Sequence, residues 1–269
     1  MSSEHPEVTL ATLRALKRQG GKFACLTAYD ASFTHVLEDA GVDVLLVGDS
    51  LGMVVQGQDT TLPVTLADMI YHTRCVARAR RSALIMSDMP FMSAAAPAQA
   101  LANAARLMQE GGAHVVKIEG GRVMADAVRL LSERGLPVCA HLGLLPQSVR
   151  KLGGYQVQGR DEQAAARLLE DAQILEQAGA DALLLECVPA ALAERITAAT
   201  ELPVIGIGAG AGCDGQVLVL YDMLGITPGK RPRFSRNFLA GRGSVREAVA
   251  EYVRAVKAGE FPGREHTYS

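Results

Sequence analysis

Short apolar segments bounded by turn residues alternate along this chain with longer segments whose apolar residues recur at helical spacing. This alternation is typical of repeated strand-helix units. Most of the short segments are continuous apolar runs, as expected of parallel strands that are covered on both faces. The eight candidate strands are Phe23 to Thr27, Val44 to Val47, Ala83 to Ser87, Val115 to Ile118, Val138 to His141, Ala182 to Leu185, Val204 to Ile207, and Val217 to Leu220. Eight such units predict a closed (β/α)8 TIM barrel of the α/β class.

The length of the chain agrees with this fold. It has 269 residues, close to the roughly 250 that are typical of a (β/α)8 barrel. Hydrophobic residues make up 49% and charged residues 21%, which is enough apolar material for a sizeable core. No linker or low-complexity tract interrupts the chain, so residues 1–269 are predicted to form one barrel domain that ends in a helix.

Helix boundaries can be read from capping signals. Thr65 and Asp68 form a capping-box-like start for a helix that reaches about residue 80. Ser244 with Glu247 starts the carboxyl-terminal helix, which carries one apolar stripe and is predicted to stop near Gly259.

Charge and composition exclude several classes of function. The 27 basic and 29 acidic residues nearly balance without a long run of either sign, so nucleic-acid binding is not expected. The amino terminus does not resemble a signal peptide, and no apolar run approaches the length of a membrane span. We therefore expect a cytoplasmic protein without membrane contact. Five cysteines at irregular spacings, without a CxxC pair, are typical of reduced thiols.

Polar residues close several of the apolar runs, where barrel enzymes place their chemistry. For any one of them a helix N-cap is the simpler interpretation, but their recurrence at equivalent ends favours a common site. Lys117 and Glu119 are two apart on one strand and would face the same side. The candidate site residues are Asp49, Ser50, Asp88, Lys117, Glu119, His141 and Glu186.

Three of these candidates, Asp49, Asp88 and Glu119, would repel one another if all were charged. Either one carboxyl is protonated or a cation sits among them, and a divalent cation is the simpler answer. Oxygen ligands without paired Cys or His favour Mg²⁺ over zinc. The GIGAG segment, Gly206 to Gly210, follows the seventh strand and is either a phosphate-binding loop or a tight turn that allows close approach.

Longer strings of the chain resemble the ketopantoate hydroxymethyltransferase family. They are TAYD, VGDSLGM, TLPVT, KIEGG, HLGLLPQS, GGYQVQGR, LLECVP and GIGAG, and they occur in order from about Phe23 to the terminal PGREH segment. The resemblance implies a barrel of the phosphoenolpyruvate/pyruvate superfamily and a place in pantothenate biosynthesis. It also implies transfer of a one-carbon unit from 5,10-methylenetetrahydrofolate to 3-methyl-2-oxobutanoate, which gives 2-dehydropantoate and tetrahydrofolate.

The same resemblance assigns roles to the candidate residues. Asp49 of VGDS, Asp88 before Pro90 and Glu119 of KIEGG would place Mg²⁺. Glu186 of LLECVP matches the proposed general base. The residues that would bind the keto acid are Asp49, Ser50, Asp88, Lys117 and His141.

The reaction requires loss of a proton from the carbon beside the ketone. We expect Glu186 to remove this proton and Mg²⁺ to stabilise the enolate that results. The resemblance further implies a homodecamer. Two alternatives stay open: a lyase or aldolase of the same superfamily that acts on a 2-keto acid, and a non-catalytic barrel that binds a keto acid or folate. Magnesium-dependent release of formaldehyde or pyruvate without folate would favour the first, and absence of turnover would favour the second.

Overall fold

The computed structural model describes residues 6–229 and 231–269. The first five residues, on which the signal-peptide prediction partly rests, lie outside this range. Eight parallel strands, each hydrogen-bonded to the next, form a closed barrel in the order β1 to β8, so the predicted (β/α)8 fold is confirmed. The strands are β1 Phe23–Thr27, β2 Val44–Val47, β3 Leu84–Asp88, β4 Val115–Glu119, β5 Val138–Gly143, β6 Ala182–Glu186, β7 Val204–Ile207 and β8 Gly215–Leu218.

One helix precedes the first strand, and the other helices lie in the segments that follow the strands. In chain order they are α1 Leu10–Arg18, α2 Ala31–Asp39, α3 Leu51–Val54, α4 Leu66–Ala79, α5 Pro97–Arg106, α6 Ala125–Glu133, α7 Val149–Leu152, α8 Glu162–Gln177, α9 Ala190–Ala199, α10 Leu220–Leu224 and α11 Val245–Lys257. A π-helical turn, Leu107–Gly111, continues α5. Within the described ranges, no helix combines the length and the apolar character needed to cross a membrane.

Both predicted capping signals are confirmed. Thr65 Oγ1 accepts a hydrogen bond from the N–H of Asp68, and the Asp68 carboxylate accepts one from the N–H of Thr65, so α4 begins at Leu66. Ser244 accepts from the N–H of Glu247 at the start of α11. These bonds satisfy backbone donors that a helix start leaves free.

The predicted position of the eighth strand is wrong by two residues. β8 runs over Gly215–Leu218 instead of Val217 to Leu220, and α10 already begins at Leu220. Gly215 pairs with Phe23 of β1, whose ring would lie 2.3 Å from a Cβ at this position. The Phe23 ring leaves no room for a side chain at position 215, so the strand begins with a glycine. A search for apolar runs does not detect a strand that begins in this way.

Strands β3 to β6 extend one or two residues beyond their predicted ends. As a result, Asp88, Glu119 and Glu186 are the last residues of β3, β4 and β6, and they do not belong to the loops that follow. Pairing of Glu119 with His141 and of Gly143 with Glu186 keeps these ends in register. The barrel backbone thus fixes the height of each side chain at the mouth.

Candidate functional site

All seven residues predicted from the strand ends line one cleft at the carboxyl ends of the strands. Its walls also include apolar side chains of β2, β6, β7 and β8 and the ring of Phe234. Asp49, Asp88, Lys117 and His141 are each at most 4% exposed. Because the site brings buried ionisable groups together, the charge of each one depends on its neighbours.

The ammonium of Lys117 lies among the acidic groups. Its Nζ is 3.2 Å from Asp88 Oδ1 and 3.9 Å from Glu119 Oε1. It also lies 3.1 Å from His141 Nδ1. The sequence interpretation looked for a cation to relieve the repulsion between the acids, and Lys117 supplies one positive charge within the cluster itself.

Burial and the neighbouring charges together raise the pKa values of Asp49, Asp88 and Lys117. Burial, followed by the charges of Asp88 and Glu119, raises the pKa of Asp49 well above its usual range. The pKa of Asp88 is also raised by burial, although Lys117 opposes the shift. Burial alone would lower the pKa of Lys117, but Asp88, Glu119 and Asp49 together raise it, so Lys117 is fully charged. The sequence analysis considered protonation of one acid as the alternative to a bound cation, and the raised pKa of Asp49 agrees with that alternative.

Each of the three carboxylates accepts a hydrogen bond on one of its oxygens. Asp88 Oδ2 accepts from the Asp49 N–H at 3.0 Å. Glu119 Oε2 accepts from the Gln147 N–H at 3.1 Å, and Asp49 Oδ2 accepts from the Gln147 side chain at 2.8 Å. Within residues 6–229 and 231–269, the buried atoms Asp88 Oδ1 and Glu119 Oε1 have no aligned hydrogen-bond partner.

His141 connects the lysine with the candidate base. Its Nε2 lies 3.3 Å from Glu186 Oε2, and its Nδ1 lies 3.5 Å from Glu119 Oε1. Burial and Lys117 would lower the pKa of His141, but the nearby carboxylates of Glu119 and Glu186 raise it above its usual value. Conversely, the pKa of Glu119 is lowered, because His141 and Lys117 outweigh its burial. The Glu186 side chain is 14% exposed, so it lies at the cleft surface where a ligand can reach it.

The site also contains residues to which the sequence interpretation gave no role. Gln147, between β5 and α7, contacts two of the carboxylates, and Tyr29 lies 2.9 Å from Ser50 through the two hydroxyl oxygens. Gln147 is part of the string HLGLLPQS and Tyr29 of TAYD. These strings were the available signal, but neither residue closes a predicted strand.

The structure favours the tight-turn interpretation of GIGAG. Gly208 and Gly210 both have a positive φ, which favours glycine. A Cβ on Gly208 would lie 3.0 Å from the Phe234 ring and 3.1 Å from the Tyr268 ring, and one on Gly210 would lie 2.6 Å from Ala190 Cβ. The glycines therefore allow other parts of the chain to pack closely on this turn.

The five cysteines are free thiols, as predicted, and four of them are buried. Among the described residues, no three His, Cys, Asp or Glu side chains are grouped closely enough to form a ready-made metal site. The carboxylates at the cleft nevertheless offer hard oxygen donors, and two of these, Asp88 Oδ1 and Glu119 Oε1, are buried near Lys117 without an aligned hydrogen bond. This donor set suits a hard divalent cation such as Mg²⁺.

The chain is similar in sequence to known proteins over nearly its whole length. Residues 7–264 match the model of the family described as ketopantoate hydroxymethyltransferase. A 3-methyl-2-oxobutanoate hydroxymethyltransferase of Nitrosococcus oceani is 62% identical over 261 residues, which cover 97% of this chain and 99% of that relative.

Two solved structures share the barrel at low sequence identity. One is 2,3-dimethylmalate lyase, a PEP mutase/isocitrate lyase superfamily member, with a TM-score of 0.56 and 19% identity over 80% of this chain and 82% of that chain. The other is phosphonopyruvate hydrolase in complex with oxalate and Mg²⁺, with a TM-score of 0.60 and 13% identity over 93% and 98% of the two chains. At these identities the likenesses show that the barrel fold is shared.

Proposed function

The chain belongs to the ketopantoate hydroxymethyltransferase family and is a transferase, and from this premise we propose the donor, the metal and the residue roles of the reaction. The donor is 5,10-methylenetetrahydrofolate and the acceptor is 3-methyl-2-oxobutanoate. A carbon-carbon bond forms between the donated carbon and the carbon beside the ketone, and water supplies the hydroxyl oxygen. The products are 2-dehydropantoate and tetrahydrofolate. Membership in a transferase family argues against the lyase and the non-catalytic alternatives.

One observation carries the proposal: three carboxylates, two of them with a buried oxygen that has no aligned hydrogen bond, line one cleft with a buried lysine and a reachable fourth carboxylate. Asp49, Asp88 and Glu119 would hold the Mg²⁺ ion. When bound, Mg²⁺ would act as a Lewis acid toward the keto acid, a contribution of several kcal/mol. The donor chemistry supports this choice of metal. So does the Mg²⁺ in the complex of phosphonopyruvate hydrolase, which shares the fold.

Glu186 is proposed to remove the proton from the carbon beside the ketone. Its position at the end of β6, on the cleft surface, leaves a carboxylate oxygen within reach of a bound substrate. His141, 3.3 Å away, would orient this carboxylate and share the proton that it takes up. A positioned general base is worth roughly 100- to 10,000-fold in rate.

Lys117 and Ser50 are proposed to contact the keto acid. The charged ammonium of Lys117 is buried beside Asp88, where a positive charge acts strongly on a developing negative charge. The Ser50 hydroxyl is held by Tyr29, so it is oriented before the ligand arrives.

The test is turnover of the purified chain with 3-methyl-2-oxobutanoate and 5,10-methylenetetrahydrofolate, with formation of 2-dehydropantoate followed by mass spectrometry. We expect turnover that chelation abolishes and Mg²⁺ restores. Turnover that persists after complete chelation would contradict the metal, and turnover with formaldehyde alone at the same rate would contradict the folate donor.

A further inference from the structure

Gln147 lies in the connection after β5, yet it contacts groups from three other strand ends. Its Nε2 donates to Asp49 Oδ2 at 2.8 Å and to the Met89 carbonyl at 2.9 Å. Its backbone N–H donates to Glu119 Oε2 at 3.1 Å. One residue therefore links the acidic groups that follow β2 and end β4 with the backbone that follows β3.

The orientation of the Gln147 amide follows from its partners. The Met89 carbonyl can only accept, so the group 2.9 Å from it is the NH₂ and not the oxygen, and the same NH₂ lies 2.8 Å from Asp49 Oδ2. The two hydrogens of this group are then both used. Because the Met89 carbonyl belongs to the backbone, it fixes the amide in place, and the amide fixes the Asp49 carboxylate.

The hydrogen bonds of Gln147 also determine which carboxylate oxygens remain for a ligand. Gln147 engages Oδ2 of Asp49 and Oε2 of Glu119, while the Asp49 N–H engages Oδ2 of Asp88. In the part of the chain that the structure describes, the second buried oxygens of Asp88 and Glu119 have no aligned hydrogen-bond partner. Two of the three orienting bonds thus come from the same residue.

We propose that Gln147 is a positioning residue of the cation site: it presents the Asp49 and Glu119 carboxylates with one oxygen each directed to the cation. This inference rests on the proposed Mg²⁺ site. Groups that orient metal ligands typically change metal affinity 10- to 100-fold when they are removed. Gln147→Met keeps the length of the side chain and removes both donors to Asp49 and Met89, while the backbone bond to Glu119 remains.

The experiment measures Mn²⁺ binding as the probe, by titration calorimetry and by the electron paramagnetic resonance signal of the free ion. We expect Gln147→Met to bind one Mn²⁺ per folded chain with a dissociation constant raised about 10- to 100-fold. Gln156→Met is the matched control, because Gln156 is an exposed glutamine nearby in the chain, between α7 and α8. It should bind as the unchanged chain does. Gln147→Asn, which keeps the amide but is one carbon short, should also bind more weakly.

Three results would overturn the inference. Gln147→Met could bind Mn²⁺ with the affinity of the unchanged chain, which would leave the metal site standing and remove only the role of Gln147. Fewer sites at an unchanged dissociation constant would mean that the residue merely supports folding. Absence of Mn²⁺ binding by the unchanged chain would remove the proposed metal site and this inference together. If Gln147→Met does not fold, Gln147→Asn decides by the same criteria.

Discussion

At the scale of single residues, the buried ammonium of Lys117 compensates part of the negative charge of the surrounding carboxylates. Lys117 Nζ lies 3.2 Å from Asp88 Oδ1, and both groups are almost fully buried. A buried carboxylate without a partner is strongly destabilised, so one internal cation allows the cleft to exist before any ligand enters. One positive charge does not balance three carboxylates, which agrees with the raised pKa of Asp49.

The first prediction at this scale concerns the role of Glu186 as the base. Glu186→Gln removes the proposed base but keeps the size and the hydrogen-bonding reach of the side chain. We expect this variant to bind Mn²⁺ and keto acid normally and to lose exchange of the tertiary hydrogen of the substrate in heavy water, by roughly 100-fold or more. Proton NMR measures the exchange. Glu194→Gln, an exposed position on α9, is the control. Undiminished exchange in Glu186→Gln would assign the base role to another group.

The sequence predicted the candidate site well where a residue closes an apolar strand. All seven residues chosen in this way line the cleft, because parallel strands of a barrel end at the same mouth. Gln147 was missed because it lies in a connection, and its bond to Asp49 joins residues that are 98 positions apart. Hydrophobic periodicity carries no information about such a contact.

At the scale of secondary-structure elements, the joint between β5 and β6 holds the end of the strand that carries Glu186. Gly143 has a φ of +92°, and a Cβ at this position would lie 2.2 Å from the Glu186 carbonyl oxygen. That oxygen accepts a hydrogen bond from the N–H of Leu144 at 2.8 Å. A side chain at Gly143 would therefore push the end of β6 away from β5.

The resulting prediction compares two glycines with positive φ. Gly143→Ala should lower the free energy of unfolding by more than the roughly 1–2 kcal/mol expected from the left-handed backbone alone, and it should reduce turnover. Gly153→Ala is the matched control, because Gly153 has a φ of +72° and no atom within 4 Å of the added Cβ. Urea unfolding and turnover assays measure both effects. Equal losses in the two variants would show that contact with Glu186 is unimportant.

The join between α2 and β3 depends on one buried carboxylate. Glu38 accepts hydrogen bonds from the backbone N–H groups of Arg81, Ser82 and Ala83, at 2.7, 2.7 and 2.8 Å. Burial would raise the pKa of Glu38, but these donors and the Arg81 guanidinium together lower it below its usual 4.5. The stabilisation is therefore complete above pH 4.5 and is lost as the pH falls through the lower folded-state pKa.

Glu38→Gln tests this pH dependence. At pH 7 we expect a loss of about 1.5–3 kcal/mol of unfolding free energy, because an amide presents donors where the backbone also presents donors. Below the folded-state pKa the difference from the unchanged chain should shrink. Urea unfolding at a series of pH values measures it, with the exposed Glu133→Gln as the control. A difference that is independent of pH would contradict the charged state of Glu38.

At the scale of the whole molecule, closure of the barrel depends on α11 as well as on strand pairing. The Tyr252 hydroxyl lies 2.8 Å from the Cys25 carbonyl oxygen of β1 and 2.9 Å from the Gln216 carbonyl oxygen of β8. The carboxyl-terminal helix thus joins the first and the last strand. The apolar stripe of α11 indicated that one face of this helix is buried, but the hydroxyl contact with β1 and β8 could not be inferred from spacing.

The homodecamer implied by the family resemblance stays a prediction. Ten chains of 28.5 kDa give an assembly of about 285 kDa. Exposed apolar side chains, among them Phe91, Met92 and Tyr155, are available for contacts between copies. Sedimentation-velocity centrifugation measures the mass, and a single species at the mass of one chain at micromolar concentration would contradict the prediction.

Because the candidate site lies at the carboxyl ends of the strands, the opposite end of the barrel is available for attaching a label. The turns that lead from a helix into the next strand lie at the opposite end of the barrel from the cleft. Arg134, between α6 and β5, is exposed and has a φ of −95°, which any residue can adopt. A fluorophore or affinity tag attached there would report on the protein from the face that the reaction does not use.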